Sequence, residues 1–249
     1  MTTAATEETS APEPHPAAER LSLSRPVRRL AHLSDRVAGR RVLDLGCYDE
    51  TALVKKGTGS WLHEELGKTA ASLVGVDASS SIPDAGIDTG FSVIHRGDAY
   101  RLDPEVCGDP EVIVAGELIE HVPDPVAFVT ALRTSFPDAE VILTTPNTTA
   151  ITNVWLAPLR RESMHPDHLF VMSFTSLQTT LSRAGATDAV VRPYHTSYAE
   201  FRTGSKLRRV IGGIAEGTVR LVERVIPLWS GGFVAELPPA SRSSAGPVE

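Results

Sequence analysis

The chain is poor in cysteine, lysine and aromatic side chains. Only Cys47 and Cys107 occur among 249 residues, and two such distant thiols form neither a metal-binding or redox C-x-x-C pair nor a disulfide framework. They read as reduced thiols of a cytoplasmic protein. Lysine is limited to Lys55, Lys56, Lys68 and Lys206, so positive charge rests on arginine; with abundant alanine, this is the bias of a GC-rich bacterial genome. No run of about 18 apolar residues is present and no basic-then-apolar leader, so nothing spans a membrane or directs export. A formal net charge of −7 and a pI near 5.6 argue against a broad surface for bulk nucleic acid or for membrane. A dinucleotide fingerprint is missing too, because Tyr48 and Glu50 follow Gly46 where further glycines would be expected.

What is present suffices for one α/β core: 41% of residues are hydrophobic and 22% charged. Residues 1–20 hold Ala, Pro, Glu and Thr with hardly a large apolar side chain, which predicts a disordered tail. A single domain over 21–237 and a loose tail over 238–249 complete the division. The periodicity predicts helices over 25–38, 59–70, 124–135 and 173–184, and strands over 41–45, 72–77, 91–95, 111–115, 139–144 and 187–194. Such alternation gives a doubly wound, mostly parallel sheet with helices on both faces. Residues 145–172 form a long connection with Pro and His, the mark of a functional loop or lid. Leu207, Val210, Ile211, Ile214, Thr218, Leu221, Val222 and Val225 recur at helical spacing; the simplest reading lays that helix on the sheet by its apolar face, and a membrane-surface or partner-binding helix is the alternative. Gly232–Leu237 reads as a last strand.

The segment Arg41-Val42-Leu43-Asp44-Leu45-Gly46-Cys47 is followed by Leu73-Val74-Gly75-Val76-Asp77. Each is an apolar run ending in a turn residue or a carboxylate, as the first strands of a doubly wound sheet meet a nucleoside ligand. Gly46 lets the backbone turn sharply and a ligand approach, and Asp77 can accept both hydroxyl protons of a ribose. Cys47 has no base beside it in sequence and fits as a small residue in a tight turn rather than as a nucleophile.

With Gly97-Asp98-Ala99 and Gly116-Glu117-Leu118-Ile119-Glu120-His121-Val122, these segments resemble the ordered motifs of class I S-adenosylmethionine-dependent methyltransferases over roughly residues 40–195. Tyr48 stands where that family usually has a second glycine. Lys55-Lys56-Gly57 and Trp61-Leu62-His63 resemble the variant found with sugar and natural-product pathways. The resemblance implies a Rossmann-like sheet of seven strands closed by an antiparallel strand, and S-adenosylmethionine as cofactor. It also implies a cofactor site of Asp44, Gly46, Cys47, Asp77, Ala78, Asp98, Ala99, Gly116 and Glu117. In it Asp44 lies beside the amino-acid end, Asp77 binds the ribose, and Asp98 with Ala99 faces the adenine.

Glu117-x-x-Glu120-His121 carries its own chemistry. On a helical turn, positions i, i+3 and i+4 put both carboxylates and the imidazole on one face, a ligand set for Mg²⁺ or Mn²⁺ that a histidine of the long loop, His168 or His165, would complete. The segment resembles that of ubiquinone-type O-methyltransferases and of terminal 2′-O-methyltransferases of small RNAs, where it is associated with a divalent metal; by position His168 matches a later ligand of the latter. Two other readings fit the same residues. The carboxylates can favour a helix amino end, and His121, His165 or His168 can be a metal-free general base.

Pro146-Asn147 resembles the family's post-strand turn, where the Asn amide can point to substrate. Arg160, Arg161, Arg202, Lys206, Arg208 and Arg209 fall in the expected substrate-side segments 145–172 and 196–230; a solvated face and a seat for a substrate phosphate or carboxylate both fit. The expected reaction is methylation of a hydroxyl on a small polar metabolite, such as a sugar, nucleoside or natural-product intermediate. Metal-free N- or C-methylation, and a protein that binds the cofactor but catalyses another reaction or only regulates, are the rivals.

Overall fold

The computed structural model describes residues 20–48, 52–196 and 206–243. The expected tail over 1–19, the terminal segment 244–249 and Arg202 lie outside the described residues. In chain order the elements are α1 (Arg29–Val37), β1 (Arg41–Leu45), α2 (Ala52–Lys55), α3 (Leu62–Gly67), β2 (Ser72–Asp77), β3 (Ile87–Asp88), β4 (Val93–Arg96), α4 (Pro104–Cys107), β5 (Val112–Gly116), α5 (Pro125–Ser135), β6 (Glu140–Pro146), α6 (Ile151–Leu156), α7 (Phe174–Arg183), β7 (Val190–Tyr194), α8 (Lys206–Val225), β8 (Gly232–Leu237) and α9 (Ala240–Ser243).

These strands form one sheet in the order β3-β4-β2-β1-β5-β6-β8-β7. β8 runs antiparallel to both β6 and β7, and β1 pairs in parallel with β2 on one side and β5 on the other. The strand order reverses at β1, so a crevice opens at its carboxyl end. Seven of the eight strands answer the expected seven; the eighth, β3, is a two-residue edge strand on β4, too short to leave a periodic signal. Val112-Ile113-Val114-Ala115 is buried throughout, because helices cover both faces and no side of the strand meets water.

Two apolar layers hold the sheet. Phe128, Leu132, Phe174, Leu177 and Phe233 pack on one face, and Leu33, Val37, Leu66 and Tyr194 on the other; each large side chain so buried contributes about 1.5–3 kcal/mol. The start of α5 is fixed by Asp124, whose side chain accepts from Ala127 N, and by Pro125 in the first turn. Ser173 and Ser176 cap α7 reciprocally.

Four expectations are corrected. The first helix starts at Arg29 rather than 25, since Val27 is extended and bridges Tyr194. The helix over 59–70 is shorter, Leu62–Gly67, and a separate turn of helix, Ala52–Lys55, precedes it. The 145–172 connection is not all loop: it contains α6 and a 3₁₀ turn over Ala157–Leu159. Residues 238–243 are tied down, with Pro238 O accepting from Arg133 Nη1 at 2.9 Å and Ser241 N donating to Pro137 O at 3.0 Å.

A fifth correction is larger. α8 does not lie on the body of the protein by its apolar stripe: Glu216, Val219 and Glu223 are buried, while Val210, Ile211, Ile214, Leu221 and Val225 are exposed. The inward carboxylates explain the inversion. Glu223 accepts from Thr196 N at 3.0 Å and Thr196 Oγ1 at 2.6 Å, and bonds His195 Nδ1 at 2.6 Å; Glu216 pairs with Arg220. A buried carboxylate with several partners outweighs the helix's apolar preference.

Candidate active site

A cavity of about 780 Å³ opens at the carboxyl ends of β1, β2 and β5, lined among others by Arg29, Asp44, Gly46, Cys47, Tyr48, Trp61, His63, Asp77, Gly116, Glu117, His121 and His168. Gly46 takes φ +69°, where a side chain is strained, and a Cβ there would lie 2.9 Å from Leu118 Cδ1. At the end of β5, a Cβ on Gly116 would run into Leu62. Both glycines keep the crevice open where strand ends meet it.

Asp77 is aimed by the backbone. Its Oδ2 accepts from Tyr48 N at 2.9 Å and its Oδ1 from Ser79 N at 2.8 Å, which fixes the carboxylate at the end of β2, where it lines the cavity. Asp44 is buried in β1, where its Oδ2 bonds His63 Nδ1 at 2.8 Å, and His63 Nε2 reaches Ser92 Oγ at 2.7 Å. Sequence reasoning did not place His63 in the site, although the segment Trp61-Leu62-His63 stood out by its resemblance to a family variant. Trp61 Nε1 donates to Cys47 O at 2.9 Å. Burial, then the Asp44 and Asp77 carboxylates, push the Cys47 thiol well above its usual range, so it packs rather than attacks. Ala78, Asp98 and Ala99 are not among the lining residues. Asp98 is exposed and bends its own turn through Tyr100 N at 2.9 Å.

Glu117 departs from the expected helical face. It sits at φ +55°, a left-handed conformation that costs a non-glycine residue about 1 kcal/mol or more, and the turn after it is 3₁₀, Ile119–His121. Its Oε1 accepts from Thr144 Oγ1 at 3.0 Å and Tyr194 OH at 2.9 Å and faces Arg29 Nη1 at 3.5 Å. Burial lowers the Arg29 pKa, but Glu117 and neighbouring acids outweigh it and hold the guanidinium charged. Burial and Glu117 raise the Tyr194 phenol, which therefore stays a donor. Arg29 was another residue the sequence did not single out; an arginine in the first turn of an amphipathic helix carries no motif.

Glu120, His121 and His168 do come together, their ligand atoms all within 4.8 Å of one another. Glu120 is fully buried, and neither carboxylate oxygen makes a well-formed hydrogen bond, although the nearby Thr145 hydroxyl and the Arg29 guanidinium favour its charged form. Burial first, and the Glu117 carboxylate second, raise its pKa from 4.5 to about 8. His121 Nδ1 contacts Asp167 O at 3.2 Å, which as an N–H donor leaves Nε2 as the lone-pair nitrogen. Burial and His121 lower the pKa of His168, keeping it neutral. The long loop is stapled over this cluster by Leu169 N donating to Glu120 O at 2.9 Å. His165 stays exposed, 3.7 Å from the Asp167 carboxylate.

A second cavity, about 550 Å³, shares Arg29, Glu117, His165 and His168 with the first and is walled by Pro146, Ala150, Asn153, Met164, Val171, Tyr194 and Thr196. Asn147 lines it, but its amide is spent on structure: Nδ2 donates to Leu228 O at 2.7 Å and Ser230 O at 2.8 Å, and Oδ1 accepts from Thr149 N at 3.0 Å. Arg160 and Arg161 are exposed and line neither cavity. Two chambers meeting at a histidine and carboxylate cluster suit a group transfer between two bound molecules.

The model of a family described as a methyltransferase domain matches residues 17–189. The chain belongs to that family. The methyltransferase is a class I, S-adenosylmethionine-dependent one by its motifs and sheet order. It is 30% identical over 129 residues to the ubiquinone biosynthesis O-methyltransferase of Marinobacter nauticus, covering 48% of this chain and 50% of the relative. It is 32% identical over 123 residues to the protein of that name from Methylococcus capsulatus, covering 47% of each. The methyltransferase thus spans about half the length of these relatives. Its fold is similar to that of the small RNA methyltransferase HEN1, with a TM-score of 0.54 at 17% identity over 90% of this chain and 27% of the other.

Proposed function

We propose that this methyltransferase transfers the methyl group of S-adenosylmethionine to a hydroxyl of a small-molecule acceptor, with a divalent cation held by Glu120, His121 and His168. The observation that carries the reading is Glu120: a buried carboxylate with no well-formed hydrogen bond, beside two imidazoles that line the cavities. An orphaned buried carboxylate costs several kcal/mol as an ion, of order 3–5, unless something positive completes it. One carboxylate and two imidazoles fit Mn²⁺ better than Mg²⁺, which prefers oxygen alone. Glu117, turned to Arg29, Thr144 and Tyr194, is left out of the set. The names of the half-length relatives favour oxygen as the accepting atom.

S-adenosylmethionine supplies an electrophilic methyl on sulfur, open to in-line attack. Asp77 holds the ribose hydroxyls, Arg29 meets the carboxylate of the amino-acid end, and the open backbone at Gly46 and Gly116 admits the cofactor. The second cavity receives the acceptor, a sugar, nucleoside or other natural-product intermediate; Arg29 and Glu117 line both chambers, and Tyr194 walls the second. A cation held by Glu120, His121 and His168 would supply Lewis acidity to the acceptor hydroxyl. His165, exposed at the mouth, is free to carry the released proton to solvent.

A second reading rests on His168, held neutral with a buried, unpartnered Nδ1: it takes the hydroxyl proton with no metal present. Formation of S-adenosylhomocysteine with a panel of phenols, sugars and nucleosides, in EDTA and after adding Mn²⁺ or Mg²⁺, separates the two. The metal reading expects chelator to abolish turnover and cation to restore it; full activity of metal-stripped protein overturns it in favour of His168. Turnover with amines alone would overturn the hydroxyl acceptor.

A further inference from the structure

Asp44, Cys47 and His63 form a second cluster of possible ligands, apart from Glu120, His121 and His168. One ligand atom of each lies within 4.8 Å of the other two, and all three residues are buried yet line the first cavity. They come from β1, the turn after it and α3. Gly75, in the middle of β2, lets them meet: a Cβ there would lie 2.7 Å from Cys47 Sγ and 2.9 Å from His63 Cε1. Glycine inside a strand marks such a close approach.

The hydrogen bonds around His63 decide which ring nitrogen faces the cluster. Thr89 Oγ1 donates to Ser92 O at 3.0 Å, since a carbonyl only accepts. Ser92 Oγ, 2.9 Å from Thr89 Oγ1, is therefore the donor of that pair, and its oxygen accepts from His63 Nε2 at 2.7 Å. With a proton on Nε2, the lone pair of a neutral ring would point at Asp44 Oδ2, which is 2.8 Å from Nδ1. A lone pair and a carboxylate repel at that distance, so the pair needs a positive charge between them: a second ring proton or a metal ion. An imidazole whose far N–H is held by another group is also how metal-ligating histidines are oriented.

We propose that Asp44, Cys47 and His63 bind one Zn²⁺ through Oδ2, Sγ and Nδ1, with the remaining coordination position facing the first cavity. Carboxylate, thiolate and imidazole together suit Zn²⁺, whereas Mg²⁺ takes oxygen ligands. The exchange balances: the ion replaces the Nδ1 proton and the thiol proton, both of which pass to solvent, and the bond from Nε2 to Ser92 is kept. Burial and the neighbouring acids keep the Cys47 thiol protonated in the metal-free protein, and the ion itself deprotonates it, so binding strengthens as pH rises. The inference stands whatever the acceptor of the methyl group, and whether or not Glu120 holds a cation.

The test uses the full chain carrying Glu120→Gln, which removes a ligand of the other cluster, titrated with Co²⁺ and with Zn²⁺. Co²⁺ should give a near-ultraviolet thiolate band that saturates at one ion per chain, and Zn²⁺ should displace it. X-ray absorption of the Zn²⁺ form should show one sulfur among the ligands. Cys47→Ser should abolish the band, His63→Gln should weaken Zn²⁺ at least about tenfold, and Cys107→Ser should change neither. Should the Cys47 and His63 variants fail to fold, the sulfur seen in the Glu120→Gln protein and its persistence in Cys107→Ser decide. No thiolate band, a zinc shell without sulfur, or a band lost with Cys107 rather than with Cys47 overturns the proposal.

Discussion

The Nε2 atom of His168 stands 4.0 Å from Oε1 of Glu120, beyond hydrogen-bond reach. A cation held between the two would meet a carboxylate oxygen on one side and an imidazole nitrogen on the other. The pair comes from distant parts of the chain, and the loop bearing the histidine is fastened to the backbone of the glutamate itself through Leu169. The cluster is therefore held in place before any ligand arrives.

The Glu120 carboxyl gives a pH signature. Its pKa is raised from 4.5 to about 8 in the folded, metal-free protein, so the folded state favours the acid form. That stabilising share is present below the unfolded pKa and is lost as pH rises through about 8. In EDTA the melting temperature should fall by several degrees between pH 5 and 8 for wild type and stay flatter for Glu120→Gln. Calorimetric scans with Mn²⁺ should restore the wild type at pH 8 and leave the variant unchanged; an equal response of both would remove Glu120 from the cation site.

Asp77→Ala removes the acceptor for ribose hydroxyls at the end of β2. S-adenosylmethionine affinity should fall by about 1.5–3 kcal/mol, roughly 10- to 150-fold. Titration calorimetry on folded protein measures it, and unchanged affinity would place the ribose elsewhere.

His63→Leu leaves Asp44, 1% exposed, without its imidazole partner. Stripping one member of a buried pair costs about 3–5 kcal/mol. Urea unfolding monitored by circular dichroism should show a loss of that size, and a loss under about 1 kcal/mol would mean that the pair contributes little to folding.

Glu236, in β8, is a pH-dependent anchor for α1. The hydrogen bond from His32 is the main reason its pKa lies below the usual value, with burial opposing and Arg36 and Arg192 assisting. A depressed carboxyl contributes stability above its unfolded pKa, lost as pH falls through the folded one. Glu236→Gln should therefore be less stable than wild type at pH 7, with the difference shrinking toward pH 3 in thermal melts.

The strand ends and their chemistry were legible because each rests on local pattern. Val42–Leu45 and Leu73–Val76 are apolar runs that form strands in almost any α/β context, and Gly46 and Asp77 follow them in sequence and in space. Glu120, His121 and His168 were legible as chemistry, and the fold brings them together. Glu117 was misplaced because the i, i+3, i+4 argument assumes a helix, and a left-handed residue followed by a 3₁₀ turn breaks that assumption. Ala78, Asp98 and Ala99 were assigned by motif and are not among the residues lining the cavity: Ala78 follows β2, and Asp98 and Ala99 lie in the turn after β4.

By itself the sequence determined the alternation of strands and helices, the family, and the identity of the groups at the ends of β1, β2 and β5, since hydrophobic period and turn chemistry act within a few residues. Only the tertiary structure decided which partners those groups meet. Arg29 and Tyr194 reach Glu117 across 88 and 77 positions of chain, and Glu223 turns α8 inside out by bonding Thr196. A buried charge takes whatever partner the fold supplies, and no local pattern encodes which one that is.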